Sequence, residues 1–247
     1  MRAIVSVRDL SIGWGAEPIL EDVSFDVMRG EVFAILGGSG CGKSTLLRHL
    51  IGLEAPMLGR VHLTGIGPPQ HGLEPPQFGV LFQSSALFGS MTLLQNVMLP
   101  LQKWTNLPKD AIAAVAQARL RLVGLTGFEH HLPSEVSGGM KKRAGIARAL
   151  ALDPQTLFLD EPSAGLDPVT SAGLDELILT LRQSLQVTTI LVTHELASIY
   201  HVVDNCIVLD RLAKGIIARG NPSDLRDRST DPRIAAFFHR RPTGSIA

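Results

Sequence analysis

A chain of 247 residues with 45% hydrophobic content has material for one or two domains around a buried core, which excludes a disordered protein. Lys plus Arg and Asp plus Glu number 23 each, so no long-range positive field draws the chain onto nucleic acid or anionic lipid. No apolar run approaches the roughly 18 residues of a membrane span, and two cysteines, one of them inside a glycine loop, make no disulfide framework, which points to a cytosolic chain.

Ile4, Val5 and Val7, then Ile19, Leu20, Val23, Phe25 and Val27, alternate as strand residues do, with Gly13, Gly15 and Pro18 between them. That pattern predicts an antiparallel hairpin or meander. Residues 31–36, apolar without a break after Glu31, read as a strand buried on both faces and open into a glycine loop and a helix from Lys43 to about Gly52. Strand patterns return at Val61–Thr64 and Gly79–Phe82. The connection between them holds Pro68, Pro69, Pro75 and Pro76 and reads as a surface loop, because proline removes ladder donors and breaks helices. From Thr92 to about Leu152 the period is helical, with Pro108 suited to a first turn and the alanine-rich 111–123 favouring helix. Strands and helices then alternate: Thr156–Leu159, a helix from Pro168 capped by Asp167, Thr188–Val192, a helix from about Glu195, and Asn205–Leu209.

The glycine loop, Gly37, Gly38, Ser39, Gly40, Cys41, Gly42, Lys43 and Ser44, followed by Thr45, fits G-x-x-x-x-G-K-S with a strand before it and a helix after it. Glycines let consecutive N–H groups face one concavity, and the helix adds its positive end, which together suit the phosphates of a nucleotide. Lys43 is placed to bridge β- and γ-phosphate oxygens and the Ser44 hydroxyl to complete a Mg²⁺ shell. Cys41 reads as a small loop filler, since no second cysteine is placed to resolve it. The fold class expected is therefore α/β: a P-loop NTPase core with a mostly parallel sheet, an N-terminal antiparallel β-subdomain and an inserted α-helical subdomain. A single domain over 1–240 is expected, with core segments 1–91 and 153–220, insert 92–152, and a C-terminal extension over 221–247.

In doubly wound sheets ligands lie beyond the carboxyl ends of strands, so polar residues directly after buried runs are expected to gather. Gly37, the pair Asp160–Glu161 and His194 each hold such a position. Asp160 suits a Mg²⁺ ligand acting through water and Glu161 a base for the attacking water. His194 either contacts the γ-phosphate or satisfies a backbone group at the strand end.

With these residues assembled, the chain resembles the ATP-binding-cassette ATPase family over nearly its whole length. The resemblance implies that Trp14 stacks on adenine, a residue that otherwise reads as a core cap. It implies that Gln83 reaches Mg²⁺ and the water and links to the membrane subunit, and that Ser163–Asp167 crosses a dimer interface. Val136-Ser-Gly-Gly-Met140 matches the family's signature turn, with Met140 for the usual glutamine and Val136 for the usual leucine. There Ser137, Gly138 and Gly139 face the ATP held by a second copy of the chain, two copies enclosing two ATP molecules. Lys141, Lys142 and Arg143 follow in the first turn, where the helix dipole disfavours cations; a nearby anion would relieve them, and otherwise they read as charges reaching out to water.

Met140 with the ten residues after it, residues 82–88, 96–101 and 231–238 resemble the ATPase subunits of Mla-type, MCE-associated lipid transporters. That branch implies integral-membrane permease partners, an MCE-domain protein, a small regulatory subunit on the helical insert, and a peripheral place on the cytoplasmic face of the inner membrane, with no nucleic acid. A motor for another solute (an amino acid or a metal) and a soluble cassette protein remain as alternatives. Leu87, Phe88 and Met91 are the expected permease-docking residues, whereas Leu93, Leu94 and Val97 at helical spacing read as core. Asp231–Pro232 predicts a short final helix in which Phe237 and Phe238 do not both face solvent. His130–His131 lacks partners at metal spacing and reads as loop.

Overall fold

The computed structural model describes residues 2–15, 17–69 and 76–240. Pro75 of the proline-rich connection and Arg241 of the tail lie outside them. In chain order the first elements are β1 (Ala3–Trp14), β2 (Glu17–Met28), β3 (Val32–Gly37), α1 (Lys43–Leu50), β4 (Leu58–Leu63) and β5 (Phe78–Leu81). The helices α2 (Leu93–Trp104), α3 (Lys109–Leu122) and α4 (Gly138–Ala149) follow. The chain then runs through β6 (Thr156–Asp160), α5 (Pro168–Leu185), β7 (Thr188–Val192), α6 (Leu196–Val202), β8 (Asn205–Asp210), β9 (Gly215–Gly220), α7 (Pro222–Arg228) and α8 (Pro232–Phe238). Two compact units result, Met1–Gln70 with Ile190–Ala247, and His71–Thr189, and β7 carries the chain from the second back into the first. No helix among the described residues is long and apolar enough to cross a membrane.

In the first unit β1 is the middle strand of an antiparallel sheet, pairing with β2 (Val5↔Val27, Val7↔Phe25) and with β4 (Val5↔Leu63, Val7↔Val61). The expected hairpin is thus present, and its alternation turns Val5, Val7, Leu10 and Ile12 inward to full burial. Each such buried side chain contributes about 1.5–3 kcal/mol of apolar transfer. All six residues of β3 are buried, and β3 pairs in parallel with β8, from Phe33↔Asn205 to Gly37↔Leu209. Phe25 of β2 stacks on Phe33 of β3 with ring centroids 5.5 Å apart. β9 pairs antiparallel with β8 and was not foreseen, because a half-buried strand of sequence Gly-Ile-Ile-Ala-Arg-Gly shows neither a continuous apolar run nor clean alternation. α7 was also missed, although Asn221 caps it and Pro222 opens it. The final helix is α8, with Asp231 accepting from the Arg233 N–H at 2.8 Å; Phe238 is buried and Phe237 half-buried.

The second unit pairs β5 and β6 in parallel (Phe78↔Thr156, Leu81↔Leu159) and packs α4 against β5. The approach is close: a Cβ on Gly79 would lie 2.3 Å from the Ala149 carbonyl oxygen. α2 begins with a capping box in which Thr92 and Gln95 exchange backbone bonds. Pro108 stands one residue before the first turn of α3, as its N-cap at ψ 155°. Leu93, Leu94 and Val97 are buried, as their spacing predicts. Asp167 caps α5, its carboxylate accepting from the N–H groups of Val169 (3.1 Å) and Thr170 (3.0 Å).

Candidate functional site

The residues expected to hold nucleotide fall in both units: Trp14, the loop 37–45 and His194 in the first, and Gln83, Ser137–Gly139, Asp160 and Glu161 in the second. β3 delivers the chain into the loop at Gly37, whose φ is 145°. A Cβ there would meet the Leu209 carbonyl oxygen at 2.4 Å and Cys41 Sγ at 2.6 Å, so only glycine fits. Gly40 and Gly42 turn the backbone at φ 74° and 97°. Gly38 and Gly40 have open space where a side chain would stand, which leaves the mouth of the loop clear. No side chain caps α1 and its first turn carries no acid, so the helix start presents an uncompensated positive end. Lys43 Nζ donates to the carbonyls of Gly37 (2.9 Å) and Gly38 (3.0 Å), folded over its own loop. Ser39 and Ser44 are exposed and Thr45 half-buried.

Cys41 is buried, and burial pushes its thiol above the ordinary range, which keeps it protonated and agrees with a loop filler. Trp14 lies at the end of β1 opposite Glu17 and is 55% exposed, which rules out its reading as a core cap. His194 is exposed just past β7, where the Thr193 hydroxyl accepts from the Glu195 N–H at 3.1 Å. α8 reaches the rear of the glycine loop: a cavity of about 260 Å³ is lined by Gly37, Gly38, Asp210, Arg233 and Phe237, with Arg233 paired to Asp231 and Asp210.

In the second unit Gln83 is exposed just past β5, and the chain then turns through Ser85 (φ 62°) and Ala86 (φ 47°). Asn96, wholly buried, holds the next stretch: it accepts from the Phe88 N–H at 2.8 Å and donates to the carbonyls of Phe88, Met91 and Thr92. Phe88 is thereby presented with 56% of its surface exposed, while Leu87 and Met91 are half-buried. Ser137 is exposed and caps α4, its Oγ accepting from the Met140 N–H at 3.3 Å. A Cβ on Gly139 would meet Thr170 Cγ2 at 2.3 Å, so the helix start sits against α5 only because residue 139 is glycine. Asp160 closes β6, and Glu161 follows at φ 47°, a left-handed conformation costing about 1–3 kcal/mol for a residue with a side chain. His131 packs against the Phe128 ring with centroids 5.2 Å apart, within the 128–131 loop.

The cations expected in the first turn of α4 overturn one expectation, and since α4 starts at Gly138, Lys142 and Arg143 stand in its second turn. Lys142 is only 5% exposed, its Nζ donating to the carbonyls of Gln83 and, at 3.3 Å, Glu161. Burial pushes its ammonium below the usual lysine range while Asp160 and Glu161 pull it back up. Arg143 likewise donates to the carbonyls of Val123 (3.0 Å) and Gly173 (2.7 Å), so two of the three cations are spent on backbone oxygens. Carbonyl dipoles supply the negative partners that the helix end withholds. Arg148 does the same for Ser85 (3.1 Å) and Ala86 (2.7 Å). Arg148 and Asn96 were not singled out from sequence and Lys142 was read as a solvated charge: the two cations bond backbone carbonyls distant in the chain, and Asn96 bonds the backbone of the turn just before its own helix.

Among the described residues no three His, Cys, Asp or Glu cluster as a metal site. Magnesium carried on phosphates needs no such cluster. It keeps waters and phosphate oxygens and adds one or two hard oxygen donors. The Ser44 hydroxyl in the first unit, and the Gln83 amide oxygen and Asp160 carboxylate in the second, are each donors of that kind.

Comparison with known proteins finds ATP-binding proteins among its relatives. Residues 20–164 match the family model described as "ABC transporter". The chain is 40% identical to the probable ribonucleotide transport ATP-binding protein mkl of Mycobacterium leprae, over 100% of this chain and 72% of that one. It is 37% identical to the intermembrane phospholipid transport system ATP-binding protein MlaF of Escherichia coli K12, over 98% of this chain and 91% of that one. Among solved structures, the dimeric post-hydrolysis state of the ATP-binding cassette MJ0796 bound to ADP and Pi superposes with a TM-score of 0.77 at 27% identity, covering 88% of this chain and 98% of that one.

Proposed function

The chain belongs to the ABC transporter family as one of its ATP-hydrolysing subunits, and from that premise we propose that it powers phospholipid transport between membranes with an MCE-type system. The observation that carries this reading is 37% identity to MlaF along nearly the full length of both chains. A second reading keeps the motor and changes the cargo to a nucleotide or another small solute, as the name of the mkl relative suggests.

In the proposed scheme the loop 37–45 holds the phosphates by backbone N–H groups, and Lys43 exchanges its carbonyl partners for β- and γ-phosphate oxygens. Trp14 covers the base. Ser44, Gln83 and Asp160 would hold Mg²⁺, which would supply positive charge beside the phosphate oxygens. Glu161 takes the proton of the attacking water, and His194 donates to the γ-phosphate. Ser137, Gly138 and Gly139 belong to the ATP of a second copy, so a lone chain binds nucleotide but turns it over poorly. Phe88, with Leu87 and Met91, docks the permease and keeps the chain peripheral on the cytoplasmic face of the inner membrane; a small regulatory subunit on the helical insert completes the assembly.

Detergent extraction of membranes, capture of the tagged chain and mass spectrometry of its partners and lipids test the reading. The expected result is an integral-membrane permease, an MCE-domain chain and tightly held phospholipid. A solute-binding protein in place of the MCE-domain chain, with no enriched phospholipid, would move the assignment to the second reading.

A further inference from the structure

The structure points to a positioning residue that the nucleotide motifs do not contain. We propose that Lys142 holds the peptides of Gln83 and Glu161 in the frame from which their side chains act, and so ties both to the helix that carries Ser137. This rests on the assignment of Glu161 and Gln83 to hydrolysis given above.

Three observations within the second unit carry it. First, Lys142 is almost wholly buried, and both partners of its Nζ are the backbone oxygens of residues assigned to hydrolysis, 59 and 19 residues away in sequence. Second, Glu161 holds φ 47° without being glycine, and Ser85 and Ala86 hold 62° and 47°. The carbonyl of every one of these three strained residues accepts a bond from a cation of α4: Glu161 from Lys142, Ser85 and Ala86 from Arg148. Strained peptides persist only where their surroundings over-determine them, and α4 supplies that restraint. Third, Gly145 lies between the two cations on the same stripe of α4, and a Cβ there would meet Leu81 Cδ1 at 2.5 Å and the Ser85 carbonyl oxygen at 3.4 Å. The helix therefore lies on the Gln83 segment without a spacer, close enough for Lys142 and Arg148 to reach over either side.

A positioning role separates turnover from binding. In the full-length chain, purified with the membrane subunits that accompany it, Lys142→Met is expected to lower kcat for ATP about 10- to 100-fold, the scale of a 1 Å misplacement, with KM changed by less than about twofold. Lys142→Arg, which keeps a cation with several donors, is expected to recover most of the turnover. Should Lys142→Met fail to fold, Lys142→Gln, with one amide donor, is expected to give an intermediate kcat at unchanged KM. Glu161→Gln measured alongside separates the two levels of the argument. If Glu161→Gln abolishes turnover while Lys142→Met or Lys142→Gln keeps the wild-type kcat, or if KM rises in step with the fall in kcat, the positioning role is wrong and the assignment of Glu161 stands. If Glu161→Gln hydrolyses ATP at the wild-type rate, the assignment beneath both fails.

Discussion

Two helices begin at the residues expected to meet phosphate, and they are built differently. α1 starts from Gly42 with no side-chain cap, whereas α4 starts from Ser137, whose hydroxyl already receives the Met140 N–H. Each carries a lysine near its start, Lys43 as the first residue of α1 and Lys142 as the fifth of α4, and each lysine rests on two backbone carbonyls. Lys43 is half-buried and reaches only five and six residues back, to its own loop, so those bonds can be exchanged for phosphate without disturbing anything else. Lys142 is buried and joins segments distant in the chain, so its bonds cannot be exchanged without freeing the Gln83 and Glu161 peptides. In the proposed scheme one lysine is a ligand in waiting and the other a brace. The first unit is accordingly expected to set affinity and the second to set rate.

The sharpest way to break that division is Glu161→Gln. Loss of the proposed base is expected to reduce kcat by about 10²- to 10⁴-fold while ATP binding persists, measured by steady-state hydrolysis beside equilibrium binding of labelled ATP. Unaltered turnover, or loss of binding in proportion, would dissolve the contrast. Lys43→Ala is the mirror experiment. Removing a charge-assisted contact worth about 1.5–3 kcal/mol, net of the carbonyl bonds it replaces, is expected to weaken ATP binding by about 10- to 100-fold, and inorganic triphosphate should lose affinity with it.

The two lysines also mark what could be read from sequence. The role proposed for Lys43 could be assigned from sequence because it is local: strand, glycines, lysine and serine are consecutive, and the backbone conformations of the loop need glycine at fixed positions. The same locality exposed Asp167 and Asp231 as caps and the run of β3 as a buried strand. Lys142 was read as a solvated charge, since a single sequence shows three consecutive cations and no trace of the carbonyls 59 and 19 residues away that receive one of them. Its only signal was an anomaly, cations placed where the helix end is positive. β9 escaped for a related reason. Its pairing with β8 is decided by the partner and by the turn at residues 211–214, not by an apolar pattern of its own.

A smaller effect tests how α4 is seated. Gly138 and Gly139 are neighbours at its start, but a Cβ on Gly138 would make an ordinary 3.5 Å contact with Leu166, while one on Gly139 would strike Thr170 at 2.3 Å. Gly139→Ala is expected to cost about 1–3 kcal/mol by overpacking against α5, read as a lower midpoint in urea, whereas Gly138→Ala should stay within about 1 kcal/mol of wild type on the same measure. Equal costs at both positions would show that the helix start can shift, and that the Ser137 cap is less rigidly placed than the Lys142 brace implies.

The weakest effect expected belongs to Trp14, and it probes a base contact in the first unit where Lys43 probes a phosphate contact. The indole is 55% exposed at the end of the β1–β2 hairpin, so its removal takes nothing from the core, and thermal stability should hold after Trp14→Ala. If the ring covers the base, its loss removes a stacking contact worth about 1–3 kcal/mol, and being exposed it should fall at the low end, a weakening of ATP binding of about five- to tenfold. Stacking uses the π-face common to all bases, so GTP should lose affinity by a similar factor. Inorganic triphosphate has no base and should bind Trp14→Ala as it binds wild type, unlike Lys43→Ala, which weakens both. A Trp14→Ala chain that lost triphosphate as readily as ATP would mean that the hairpin end shapes the phosphate loop itself, and affinity in the first unit would no longer divide into a base contact and a phosphate contact.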